Sequence, residues 1–165
     1  MVSISQYTRI CKNGMHIITG MEKIPCPVCG GTLFVRGTCS RLLRTENGAQ
    51  IKMRLRVLEC ERCGKTHREL PEQIVPYKRH NVESICTMLD APDECIPEPS
   101  VRLRVLAWIA WFWAYAKHIM DSLQRQGFQV SEPPGGSNKR RLTYFVRLVV
   151  NSGNWKQHRS VMTFG

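Results

Sequence analysis

The chain carries eight cysteines in 165 residues, and four of them are spaced for chemistry. Cys26-Pro27-Val28-Cys29-Gly30-Gly31 and Cys60-Glu61-Arg62-Cys63-Gly64 each read Cys-x-x-Cys-Gly. Two intervening residues let one tight turn aim both sulfurs at a single ion. The trailing glycine tolerates φ > 0 and lets backbone amides approach the thiolates. Four thiolates form a closed tetrahedral set, which suits one structural Zn2+ and leaves no position for substrate or water. One Cys-x-x-Cys also suits a redox dithiol, and a redox or disulfide reading stays open beside the metal reading. A closed site contributes about 10–16 kcal/mol apparent at neutral pH, so removing the metal is expected to unfold residues 23–70. His67, four residues past Cys63, is an alternative ligand for one of the cysteines. Cys11, Cys39, Cys86 and Cys95 are scattered, which suits a reduced compartment.

Catalytic chemistry is poorly supplied. An enzyme would need carboxylates or histidines around an open metal site. Asp90, Asp93, Glu94 and Glu98 form an acidic cluster in an expected turn, with no histidine close in sequence. No catalytic residue is assigned, and the chain is not expected to be an enzyme.

The elements that must hold the cysteines are legible in part. Residues 1–22 show little pattern and are expected to be an N-terminal extension, with Met15 to Thr19 a short strand. Thr32 to Thr38 and Arg41 to Thr45 read as two strands. Asn47-Gly48 is a strong hairpin signal. Ile51, Met53, Leu55 and Val57 alternate with Lys52, Arg54 and Arg56, the period of a half-buried strand that delivers Cys60 and Cys63. Two metal turns joined by antiparallel strands make a zinc ribbon over residues 23–80. Asn81 is expected to cap a helix from Val82 to Leu89, and Pro92 to open a second, short helix ending near Cys95. Ser100 is expected to cap a long third helix from Val101 to about Gln126, stopped by Gly127. This order fits a helix-turn-helix-like domain over 81–130. Residues 131–137 are a linker by composition. In the basic C-terminal helix and tail, 138–165, Asn138 is the expected cap. The fold class is therefore α+β: an N-terminal four-cysteine zinc ribbon followed by helices.

The formal net charge is +11, which points to a polyanionic partner. It is uneven: residues 23–80 carry +7, residues 81–137 carry −3, and residues 138–165 carry +6. The expected nucleic-acid contacts are a basic plate of Arg36, Arg41, Arg44, Lys52, Arg54 and Arg56, with the step at Lys78 and Arg79. To these are added Arg102 and Arg104 at the start of the long helix, and Lys139, Arg140 and Arg141, where a phosphate would offset cations at a helix N-terminus. The plate lacks the surface aromatics of common single-strand readers, which favours duplex DNA over RNA. Trp108, Trp111 and Tyr115 share a helical face that suits core packing or, alternatively, a protein partner. The twelve-residue apolar run from Val105 to Ala116 is too short to span a bilayer, so no membrane association is expected and the location is read as cytoplasmic.

The two cysteine turns, with Leu70-Pro71 and Val75-Pro76-Tyr77-Lys78-Arg79, resemble an uncharacterised zinc-ribbon family of Gram-positive bacteria. That family is similar to the N-terminal zinc ribbon plus helix-turn-helix of insertion-sequence transposases. The resemblance implies Cys26, Cys29, Cys60 and Cys63 as zinc ligands and the helices of 81–126 as a DNA reader associated with a mobile element. No acid follows Glu132, so the carboxylate-bearing catalytic domain of a transposase is not matched. The expected function is a non-catalytic accessory or regulatory DNA-binding protein. An adaptor that binds a recombinase or polymerase is the alternative.

Overall fold

The computed structural model describes residues 1–94 and 97–155. Cys95 and the tail residues Lys156, His158 and Arg159 lie outside them.

The fold starts with a tight hairpin. Asn13 and Gly14 have φ of 49° and 72°, the left-handed pair that a two-residue hairpin turn requires. They join β2 (Tyr7–Lys12) to β3 (Met15–Gly20) in antiparallel register, Tyr7 opposite Gly20 and Lys12 opposite Met15. The buried strand β1 (Val2–Ile4) comes before them. Residues 1–22 are thus three strands rather than an extension. The cysteine cluster accordingly does not lie at the N-terminus of the fold.

Three further strands follow: β4 (Leu33–Arg44), β5 (Gln50–Cys60) and β6 (Thr66–Pro71). The two strands expected over 32–45 are one continuous β4. The hairpin at Asn47-Gly48 forms: Thr45 N–H donates to the Ala49 carbonyl at 2.9 Å, and Gly48 has φ 77°. The sheet order is β1-β6-β5-β3-β2, with β4 paired to β5 off this path. Antiparallel pairing alone was expected, but β1–β6 and β3–β5 are parallel. Both parallel pairs involve strands of residues 1–22, where only Met15 to Thr19 was read as a strand.

Along β5 the expected alternation holds at first: Met53 and Leu55 are buried, Lys52 and Arg54 exposed. It then changes phase, with Leu58 and Cys60 buried and Val57 only half-buried. Here β6 lies opposite, Leu58 facing His67, and both of these side chains are covered.

The chain divides into two compact units. One comprises residues 1–41, 52–72 and 147–155; the other, 42–51, 73–94 and 97–146. The second unit is mainly helical. Asn81 caps α1 (Val82–Asp90), its side chain accepting from Ser84 N–H at 2.7 Å, as the sequence suggests. The expected second helix is a single 3₁₀ turn, Pro92–Glu94. The long helix α2 (Pro99–Arg125) starts earlier than expected, because Pro99 sits in its first turn and Glu98 takes the cap position, leaving Ser100 inside. Gly127, at φ 84°, follows its end. Asn138 does not cap α3 (Asn138–Asn151): its side chain bonds Asp90 at 2.6 Å, and Ser137 Oγ accepts the Arg140 N–H instead. The core of this unit is aromatic. Trp108 stacks on Phe112 at 5.1 Å, and Trp113 meets Phe145 at 5.7 Å. No helix among the described residues is long and apolar enough to cross a membrane.

Candidate metal centre

Both cysteine turns have the same backbone wiring. Gly30 N–H donates to the Cys26 carbonyl at 2.8 Å, and Gly64 N–H to the Cys60 carbonyl at 2.9 Å. In return Cys26 N–H reaches the Gly31 carbonyl at 2.8 Å, and Cys60 N–H the Lys65 carbonyl at 3.0 Å. Gly30 and Gly64 take φ of 73° and 65°, which closes each turn without a Cβ penalty. Gly31 is needed for another reason. A Cβ there would lie 3.1 Å from Cys60 Sγ and 2.9 Å from the Arg62 Cβ, inside the packing around the sulfurs.

The four sulfurs of Cys26, Cys29, Cys60 and Cys63 all lie within 4.8 Å of one another. Cys26 to Cys63 is 3.8 Å and Cys29 to Cys60 is 3.4 Å. A tetrahedral ion with metal–sulfur bonds of about 2.3 Å has edges of about 3.8 Å. The donor set therefore fits a metal ion, and it is closed. Its electrostatics argue the same way. The Gly31 N–H, then the Arg62 guanidinium, pull the Cys29 thiol down to about 6. Cys63 accepts the Lys65 N–H, but burial and the adjacent sulfurs outweigh it and push that thiol up to about 11. Sulfurs this close compete for negative charge, and a cation among them lets all four ionise. His67 is outside the four-sulfur group; its Nε2 lies 3.3 Å from Cys26 Sγ.

Polar locks in the unit that holds the centre involve residues to which the sequence reading gave no such role. Arg56 donates to both oxygens of the buried Glu69, at 2.7 and 2.6 Å, and to the Gly20 carbonyl at 2.9 Å. Gly20 N–H also reaches Glu69 at 3.2 Å, and a Cβ on Gly20 would press 2.4 Å from that carboxylate. Glu22 pairs with Arg147 at 2.5 Å and accepts the N–H groups of Ser5 and Gln6. Asn151 bonds both backbone groups of Ser3, at 2.7 and 3.0 Å, where a further strand would otherwise sit. Gly153, at φ 76°, comes so close to Pro27 that a Cβ would lie 2.4 Å from its carbonyl oxygen.

The expected nucleic-acid residues are dispersed. Lys52, Arg54, Arg44, Arg79, Arg104 and Arg140 are exposed. Arg56 leaves the plate for its ion pair with Glu69. Arg36 pairs with Glu59 at 2.9 Å, and Arg41 is half-buried. Lys78 is half-buried with its Nζ 4.3 Å from the Trp108 ring centroid, and burial pulls its pKa down to about 8. Arg102 donates to the Pro92 carbonyl at 3.1 Å and Arg104 to the Ser100 carbonyl at 3.3 Å. Lys139 pairs with Glu83, and Arg141 lies over Trp113 at 4.8 Å. The Trp108, Trp111, Tyr115 face is partly consumed: Trp108 is buried, while Trp111 and Tyr115 stack at 4.8 Å.

One grouping was missed. In the register Lys12–Met15–Lys52 and Ile10–Ile17–Arg54, paired positions share a face across β2, β3 and β5. That face exposes Lys12, Lys52 and Arg54 without an acid among the paired positions.

Residues 26–102 are similar to a family described as a domain of unknown function (DUF6431). The match begins at Cys26, contains all four clustered cysteines, and ends in the first turn of α2 at Arg102. No curated protein matches the chain. No solved structure matches it.

Proposed function

We propose that this chain is a zinc-stabilised protein that binds duplex DNA without acting on it chemically. Zinc is the ion that four closed thiolates favour, since it accepts tetrahedral sulfur coordination and has no redox chemistry of its own. Cys26, Cys29, Cys60 and Cys63 would hold it, and its contribution is structural. The observation that carries the DNA reading is the β2–β3–β5 face with Lys12, Lys52 and Arg54. On a strand, residues two apart are about 6.7 Å apart, a reach that lets Lys52 and Arg54 meet neighbouring phosphates. The start of α2 supports a base-reading role less well, because Arg102 and Arg104 are engaged with backbone carbonyls. An adaptor using Trp108, Trp111 and Tyr115 has less support for a similar reason: Trp108 is buried. Association with a mobile element rests on the resemblance at the cysteine turns alone.

Anisotropy of labelled duplex DNA, single-stranded DNA and RNA, titrated with zinc-loaded protein across a salt series, tests the reading. Duplex is expected to bind tightest, with a steep salt slope. The double variant Lys52→Ala, Arg54→Ala is expected to lower that slope by about two. Arg56 is not a suitable probe, because its removal leaves Glu69 buried and unpaired. Absence of duplex binding at low salt, or an unchanged slope in the double variant, overturns the proposal.

A further inference from the structure

His67 is buried, and its Nε2 lies 3.3 Å from Cys26 Sγ, within hydrogen-bonding reach of sulfur. Its Nδ1 lies 3.1 Å from the Met1 nitrogen. That nitrogen donates, so Nδ1 accepts, and the ring hydrogen is left on Nε2, aimed at the sulfur. The strand register explains the placement: His67 sits opposite Leu58 on the covered side of β6, two residues along β5 from Cys60. A divalent ion with four thiolates carries a net charge of −2, which a covered site must offset with donors. Cys29 receives Gly31 N–H and Arg62, and Cys63 receives Lys65 N–H. Cys26 is the most deeply placed sulfur of the first turn, and the donor facing it is His67.

We infer that His67 is a positioning residue of the metal centre, donating Nε2–H to the Cys26 thiolate from outside the coordination sphere. This rests on the metal reading above. The hydrogen bond draws electron density from that sulfur, fixes its direction toward the ion, and makes it a poorer nucleophile than the sulfurs without such a donor.

The test uses the full chain loaded with cobalt, zinc or cadmium. Wild type is expected to bind one ion per chain with a four-thiolate cobalt spectrum. In His67→Phe the thiolate-to-cobalt band should move to lower energy. Iodoacetamide should alkylate Cys26 of the zinc protein about ten-fold faster, and zinc affinity should fall by about ten-fold, the usual effect of losing an outer hydrogen bond to a ligand. His67→Gln retains a donor and should restore the band and the alkylation rate in part. Phe-variant behaviour identical to wild type overturns the inference, as does failure of Gln to restore either readout. A cobalt spectrum of three thiolates and one imidazole in wild type overturns it too, since His67 would then be a ligand. Should His67→Phe not fold, wild-type protein loaded with cadmium-113 decides alone: scalar coupling between the His67 ring N–H and the metal supports the hydrogen bond, and its absence overturns it. A wild-type chain that takes up no ion overturns the metal reading itself, a separate outcome.

Discussion

The unit that holds the cysteines and the unit that holds α2 reach stability by different routes. In the first, β2 buries none of its six residues, but the other strands bury Val2, Ile4, Ile18, Met53, Leu55, Leu58 and Leu70, and Val149, Val150 and Trp155 are buried as well; specific polar links are added to that core. Its fixed points are the four sulfurs, Arg56 on Glu69, Glu22 on Arg147, and Asn151 on the backbone of Ser3. In the second, Val105, Trp108, Ile109 and Phe112 of α2, Ile85 and Met88 of α1, and Leu142 and Phe145 of α3 are all buried. Polar links such as Lys139 to Glu83 and Asn138 to Asp90 lie at its exposed rim. The polar links make the first arrangement brittle where they occur, because each is specific and losing one partner strands the other. The second is a sum of many small dispersion and burial gains.

The largest effect should come from removing the metal. Chelation, or Cys60→Ser, is expected to abolish amide-exchange protection in β5 and β6, since a closed four-thiolate site is worth about 10–16 kcal/mol apparent. Protection in α1 and α2 should persist. Hydrogen exchange read by mass spectrometry distinguishes the strands from the helices directly. Simultaneous loss of protection in both sets would break the comparison, by making the chain one cooperative block held by the ion. Unchanged protection in β5 would remove the metal from the stability of the strands altogether.

The converse perturbation is Phe112→Ala. Phe112 is fully buried and stacked on Trp108, so truncation should cost about 3–5 kcal/mol. Protection in α2 should fall, while metal stoichiometry, measured by atomic emission on the purified variant, stays at one ion per chain. A variant that loses its metal would show that the helices support the cysteine turns.

The two units were also unequally legible. Cys-x-x-Cys-Gly names its own chemistry, so all four sulfurs of the candidate site could be read from spacing, and Asn47-Gly48 placed the hairpin between them. The locks around them could not. Glu69, Gly20, Glu22, Arg147 and Asn151 matter because elements distant in sequence meet, and one sequence carries no signature of such meetings. Arg56 shows the cost: its place in an alternating strand assigned it to a solvent face, while a buried carboxylate on β6 drew it inward. In residues 1–22 only the strand at Met15 to Thr19 was legible, since β1 and β2 alternate too weakly to stand out. In the helical unit, periodicity located α1, α2 and α3 within a few residues. The caps slipped because Pro99 outranks Ser100 as a helix start and Asp90 claims the Asn138 side chain.

The smallest expected effect is a titration. Glu22 is held down to about 2 from its ordinary 4.5, first by the Arg147 guanidinium and further by the N–H groups of Gln6 and Ser5, against the opposing pull of burial. A carboxyl with a depressed folded-state value binds fewer protons folded than unfolded. Its stabilisation is therefore complete above the unfolded value near 4.5 and disappears as pH falls through about 2. Glu22→Gln removes the charge without the shape. At pH 7 the variant should melt about 2–4 °C below wild type, the shift that roughly 1 kcal/mol produces in a chain of this length. The gap should narrow from about pH 4.5 downward and close near pH 2, as seen in thermal melts monitored by circular dichroism. Because the lock belongs to the cysteine unit, melts of zinc-loaded and chelated protein sharpen the test. In the chelated form the strands that position Ser5, Gln6 and Glu22 have lost their anchor, and the gap between Glu22→Gln and wild type should vanish at every pH. A gap that survives chelation would mean that the polar locks hold the first three strands independently of the ion. The brittleness of that unit would then lie in its cysteine turns alone.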